Sequence, residues 1–431
     1  MIDCSSAHGR VARFLGVLFA ASLLAGPMSS FAAHAQPAEP TSAPSAAPQP
    51  SAEEAAKREA WRATIARTPA PKKGCFTASY PNAEWQEVPC GRPSPYPNPP
   101  RGPRPDAVGD ANDYSAQVSG LISSAVGSFA SVTPATISES GFWWGTTDCP
   151  PPPPRCPPAE PHCVQQNPGG DVNTCPVTTP NAFSLQLNSQ FFSTALCQGH
   201  AVGNTPCQGW EQFVFSQDQC PDGPCMFIEY WLLNYGSTSP TTPPSSCATP
   251  WTPSGGVNWY CNSSPGQTPA ISAAQLQETM LTAMAAGDGD TVVLTTAGAA
   301  AIAAPPAADS MLNLAQHWNA VEWNVFGDCC LFEANFSPGS TFAVKTSVNG
   351  GAVATCVQQG FTGETNNLSL VGTSAQDSTP PAIVFTQSNA AGGTPASCIF
   401  AVEGAPTPPG KGHGGPGPVC GRDGLPPCRK P

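Results

Sequence analysis

Apolar and polar positions alternate through much of this 431-residue chain. Phe183, Leu185, Leu187 and Phe191 fall on one side of an extended segment, and Ser184, Gln186, Asn188 and Gln190 fall on the other. That period of two is what a half-buried β-strand requires. A second run, Cys225–Tyr235, groups Phe227, Glu229, Trp231, Leu233 and Tyr235. Shorter runs predict strands at Gln212–Phe215, Thr291–Thr296, Val321–Phe326, Phe342–Val348, Leu368–Val371, Ile383–Thr386 and Ile399–Val402. Gly287-Asp288-Gly289-Asp290, just before Thr291, is a hairpin turn signal. Two signals compete over Leu276–Ala286: Ser272 with Gln275 suits a helix cap, whereas the turn that follows suits a hairpin. The segment is read as a strand. Residues 51–68 read as one helix. Ser51 with Glu54 makes a capping box, Glu54 and Arg58 are an i,i+4 pair, and Pro69 with Pro71 stops the helix at or before Thr68. Many strands and few helices predict an all-β fold, a two-sheet antiparallel sandwich of jelly-roll or concanavalin-like type.

Composition sharpens that picture. With 53 prolines, 41 glycines and only 11% charged residues, the chain has the wrong alphabet for a coiled coil, a helical bundle or a charged disordered polymer. Residues 36–107 read as a Pro-rich linker, a short helix and a small Cys75–Cys90 module with Phe76, Tyr80 and Trp85 to pack. Residues 108–404 form the predicted β-sandwich domain, and 405–431 a Gly/Pro-rich tail. Pro150–Pro154 and the Cys/Pro sequence up to Pro180 suggest a surface excursion tied down by Cys149, Cys156, Cys163 and Cys175. Residues 36–73 carry six basic and four acidic side chains ahead of an acidic body, which suits either a removable prosegment or a plain spacer.

The N-terminus places the protein. Arg10 and Arg13, an apolar run from Phe14 to Ala25 and Ala33-His34-Ala35 have the layout of a secretory signal peptide, residues 1–35. The run is too short to span a bilayer and no later stretch reaches 18 apolar residues, so no stable membrane insertion is expected. Of 19 cysteines, removing Cys4 with the signal leaves an even number, as a disulfide framework in an extracellular or periplasmic setting requires. The shortest pairings are Cys75–Cys90, Cys197–Cys207, Cys220–Cys225, Cys247–Cys261 and Cys420–Cys428. No Cys-x2-Cys pair occurs, and His162, His200, His317 and His413 stand apart, so no metal or other cofactor is expected.

Charge excludes one class of partner. Between Asp110 and Phe400 there are 19 Asp and Glu against two basic residues, Arg155 and Lys345. Nucleic-acid binding needs clustered cations, so that partner is ruled out. Such a body gains little self-repulsion when its carboxylates are protonated, which suits acidic surroundings.

Common catalytic motifs are missing: there is no Gly-x-Ser-x-Gly, phosphate loop, dinucleotide fingerprint or His-Glu-x-x-His. One ordered set of segments resembles the eqolisins, the glutamic peptidases. Tyr114–Ile122 and Val126-Gly127-Ser128-Phe129-Ala130-Ser131-Val132-Thr133-Pro134 look like that family's opening strands, and Ser184–Ser189 like its third element. Trp210-Glu211-Gln212-Phe213-Val214 is similar to its Gln strand, Ile228-Glu229-Tyr230-Trp231 to its aromatic strand, and Val321-Glu322-Trp323-Asn324-Val325-Phe326 to its last. The resemblance spans roughly 110–350 and implies a secreted β-sandwich in which a Glu performs acid–base work and a Gln amide stabilises the oxyanion. It puts the Gln on Gln212 and the catalytic Glu on Phe326, keeping only the earlier Glu322 of the motif; the motif's Trp and two Asp become Ser184, Asn188 and Ser216.

The resulting expectation is a concave sheet face carrying Gln212, Glu229, Trp231 and Glu322, flanked by Trp210 and Trp323, that binds an extended peptide or polysaccharide. An acid endopeptidase using Gln212 and Glu322, and a purely structural extracellular protein, are the alternatives. Glu229 stands out, since a carboxylate in so apolar a strand must be paired, protonated or facing a cleft.

Overall fold

The computed structural model describes residues 51–100, 107–133, 135–145, 164–165, 173–236, 243, 247–254, 257–305, 309–329, 332–350, 354–372 and 381–389. The expected signal peptide, the Pro150–Pro154 run, the Ile399–Val402 strand, the Cys420–Cys428 loop and the C-terminal tail lie outside the described residues.

Two nine-stranded sheets dominate. At the centre of one, here the site sheet, Ser184–Ser189 lies between Gln208–Ser216 and Ala320–Phe326. Cys225–Leu233 and Asn258–Asn262 extend it on one side, and Tyr114–Gln117 and Thr355–Gln358 on the other. The second sheet, here the back sheet, is centred on Ser124–Val132, paired with Met280–Met284 and Thr341–Asn349. Its flanks include Thr291–Thr295, Ala299–Ala304 and Ala382–Ser388. All these pairings are antiparallel, as the alternating pattern predicts. A third, six-stranded sheet joins Ile137–Gly145, Asn173–Pro180 and Glu333–Phe336 with shorter strands, so part of the expected Cys/Pro excursion is paired strand.

The core lies between the two large sheets. Leu185, Leu187, Phe213, Phe215, Ile228, Val321 and Val325 project from the site sheet, and Phe129, Leu281, Val292, Leu294, Phe342 and Phe385 from the back sheet. Rings interlock across the gap: Phe129 meets Trp323 at 5.5 Å and Tyr114 meets Phe385 at 5.2 Å between centroids. Trp323 packs flat against Gly127, where a Cβ would sit inside the indole ring. The glycine in strand Ser124–Val132 is therefore a packing requirement.

Helix Ala52–Ile65 forms as expected, with the Ser51 hydroxyl accepting from the Glu54 N–H and Glu54 pairing with Arg58 at 3.0 Å. Trp61 and Ile65 bury against Ala78 and Ala300 on the outside of the back sheet. Gly74–Ser79 then joins that sheet as a strand beside Ala299–Ala304, so the sandwich begins well before residue 108. Four of the predicted disulfides are present: Cys75–Cys90, Cys197–Cys207, Cys220–Cys225 and Cys247–Cys261.

Three local readings change. The ambiguous 276–286 segment is a short 3-10 helix, Ala273–Glu278, followed by strand Met280–Met284, so each signal acts on its own half. Tyr235 leaves the face shared by Trp231 and Leu233, because Asn234 adopts a left-handed conformation (φ 55°) and redirects the chain toward the core. Phe191 lies beyond the end of its strand and packs on Trp210 and Phe361 rather than beside Leu185 and Leu187.

Candidate functional site: a polar row under a proline-rich strap

Register places the polar residues of the site sheet in one row. Glu229 lies opposite Gln212, Gln212 opposite Asn188, and Asn188 opposite Glu322, on four consecutive strands. Directly paired residues share a face, so all four project away from the core. Trp210 and Trp231, paired with each other two positions along, share that face. Trp323 is one residue from Glu322 and points the opposite way, into the inter-sheet core. Its place in the expected binding face is thereby corrected, for the period-two reason that adjacent strand residues cannot share a side.

The row is connected by side chains. Gln212 Nε2 donates to Gln186 Oε1 (3.3 Å) and Asn188 Oδ1 (3.1 Å), and its Oε1 accepts from the Trp231 indole N–H at 3.0 Å. Asn188 Nδ2 donates to Gln186 Oε1 (3.2 Å) and to Glu322 Oε2 (3.0 Å). Glu322 Oε2 also takes the backbone N–H groups of Phe361 and Thr362, at 2.9 and 3.2 Å. Asn188 thus bridges Gln212 and Glu322, and both amide hydrogens of Gln212 are already engaged.

The expected open hollow is not there. Trp210, Gln212, Glu229, Trp231 and Glu322 are each 0% exposed. Two segments cover them. One is the 359–366 stretch that caps Glu322. The other is the Pro-rich segment Pro93-Ser94-Pro95-Tyr96-Pro97-Asn98-Pro99-Pro100. A proline at every second position restricts the preceding residue to extended backbone, and the segment runs over the sheet as a strap. Its polar backbone is met group by group. Asn262 Nδ2 donates to the Ser94 carbonyl (3.1 Å), Tyr260 Oη to Pro95 (3.3 Å), Gln219 Nε2 to Tyr96 (2.9 Å) and the Gly363 N–H to Pro99 (2.9 Å). In return, the Asn98 backbone N–H (2.9 Å) and side-chain Nδ2 (3.2 Å) donate to Glu229 Oε2.

Burial governs the electrostatics. Glu229 is held well above the ordinary carboxyl range, mainly by desolvation, with the Asn98 donors opposing. Asp113 is raised by burial and then by the nearby Glu322 charge, against hydrogen bonds from Asn324 Nδ2 (2.9 Å) and the Tyr114 N–H. Glu139, on the third sheet, and Asp328, just past strand Ala320–Phe326, are raised by burial and by the adjacent Asp218. A neutral Glu229 is the form this site favours in acid.

Asn188 and Gln186 are the central residues that a dyad-based search passes over, although their alternation with Leu185 and Leu187 already marks the outward face. Asn98, Asp113 and Glu364 carry no signal of their own, because long-range folding alone brings them to the sheet. No protein-family model, curated protein or solved structure matches the chain.

Proposed function

We propose that the protein is a secreted, eqolisin-like β-sandwich whose polar sheet face binds an extended, proline-containing polypeptide, and that residues 93–100 are the resident occupant of that face. One observation carries this reading: a proline-rich segment of the chain itself lies across the face, held through its backbone carbonyls and through a two-donor contact of Asn98 with Glu229. Amide and hydroxyl donors spaced along a sheet recognise main chain rather than a particular side-chain sequence. That favours peptide over polysaccharide among the expected extended ligands. Aromatic Trp231, Tyr260 and Trp210 supply an apolar floor beside the polar row. A hydrolytic role is disfavoured, since the Gln212 amide that would meet an oxyanion is spent on Gln186 and Asn188.

The test uses the full chain with a specific protease site placed at 101–106, so that the strap can be released. A labelled peptide with the sequence of residues 92–100 is expected to bind the cleaved protein at acidic pH and to be displaced by unlabelled peptide but not by oligosaccharides. Absence of binding after cleavage overturns the reading. Casein digestion between about pH 2 and 7 that disappears in Glu322→Gln replaces it with acid peptidase activity.

A further inference from the structure

We propose that Glu139, Asp218 and Asp328 form a calcium site that ties the third sheet to the site sheet. The three come from separate places in the chain. Glu139 is on strand Ile137–Gly145, Asp218 follows strand Gln208–Ser216, and Asp328 follows strand Ala320–Phe326. One carboxylate oxygen from each lies within 4.8 Å of the others. Oxygens at about 2.4 Å from a single ion are separated by at most about 4.8 Å, so the three donors lie within the span that one Ca2+ can bridge.

Asp328 points to an ion independently of the clustering. It is 2% exposed, and neither of its carboxylate oxygens has a hydrogen-bond partner. The Ser216 hydroxyl stands beside it but accepts from the Gln219 N–H at 2.9 Å and gives Asp328 no well-directed bond. Glu139 Oε2 accepts from the Asp328 backbone N–H, which leaves its second oxygen for a ligand. Among the described residues none of the three pairs with Lys, Arg or His. Buried carboxylates crowded this way need a cation or protons. Hard oxygen donors without nitrogen or sulfur select Ca2+ over zinc, and half-buried Asp218 leaves one side open for entry and for water ligands.

The experiment titrates Ca2+ into the EDTA-treated full-length protein near neutral pH, reading heat of binding and thermal unfolding together. One ion per chain is expected, with a dissociation constant of about 0.1–1 mM, the range of extracellular modules, and a Tm several degrees higher at saturation. Asp218→Asn, at the half-exposed position, and Asp328→Asn, which keeps the buried shape, should each weaken binding at least tenfold and abolish the Tm shift. Should Asp328→Asn fail to fold, Asp218→Asn carries the test. The proposal is overturned if Ca2+ at about 10 mM leaves Tm unchanged, which would leave the triad neutralised by shared protons. It is equally overturned if the folded variants bind Ca2+ as the parent does.

Discussion

Asn98 grips Glu229 with two donors on one oxygen, its backbone N–H at 2.9 Å and its side-chain amide at 3.2 Å. Both residues are fully buried, so the contact fastens the strap to the sheet at its most expensive polar group. Asn98→Ala keeps the backbone donor and removes the side-chain one. A loss of about 1–2 kcal/mol is expected, together with faster proteolytic cutting next to residues 93–100. Unchanged cutting rates would separate the strap from Glu229.

Asn188 joins Gln212 to Glu322. Truncating it to Ala takes one acceptor from the buried Gln212 amide and one donor from the buried Glu322 carboxyl at once. About 3 kcal/mol of destabilisation is expected in urea unfolding, against nearly nothing for an exposed asparagine such as Asn82. A small effect at Asn188 would mean that Gln186 takes over the bridge.

Gly127 admits the Trp323 ring against the back sheet. Gly127→Ala forces the indole off its seat and should cost about 3 kcal/mol, visible as a lower Tm. Gly287, which has open space around it, should accept the same change nearly without penalty. Equal effects at the two sites would contradict this account.

Acid should stabilise the fold. Glu229, Asp113, Glu139 and Asp328 all have raised carboxyl pKa values, with burial as the first cause. The folded chain therefore keeps protons that the unfolded chain releases above about pH 4. Their stabilising contribution is complete below that point and declines as pH rises toward the folded values, by up to about 1.4 kcal/mol per unit per group. In metal-free buffer Tm is expected to fall between about pH 4 and 7. A rise over that interval would show that other groups govern stability.

Much of the architecture was legible because period-two patterning is a local property. The strands at 184–189, 225–233, 320–326 and 341–349 are written in neighbouring residues, and so are the cap at Ser51 and the short Cys loops. The outward set Gln186, Asn188, Gln212 and Glu322 follows from the same alternation once register is known. What covers that set was not legible. Residues 93–100 look like a linker by composition, and only contacts with Asn262, Tyr260 and Gln219 turn them into a strap. Trp323 was misplaced for a different reason: a family motif keeps Glu and Trp adjacent, and adjacency on a strand means opposite faces.

The pairing of Gly74–Ser79 with Ala299–Ala304 has a kinetic consequence. Gly74–Ser79 has a local neighbour in Gln86–Val88, but the strand that joins it to the back sheet is made only after about 220 further residues, so this edge of the sheet closes late. Truncation before Ala299 should therefore leave Gly74–Ser79 and Gln86–Val88 as a hairpin with no sheet to join.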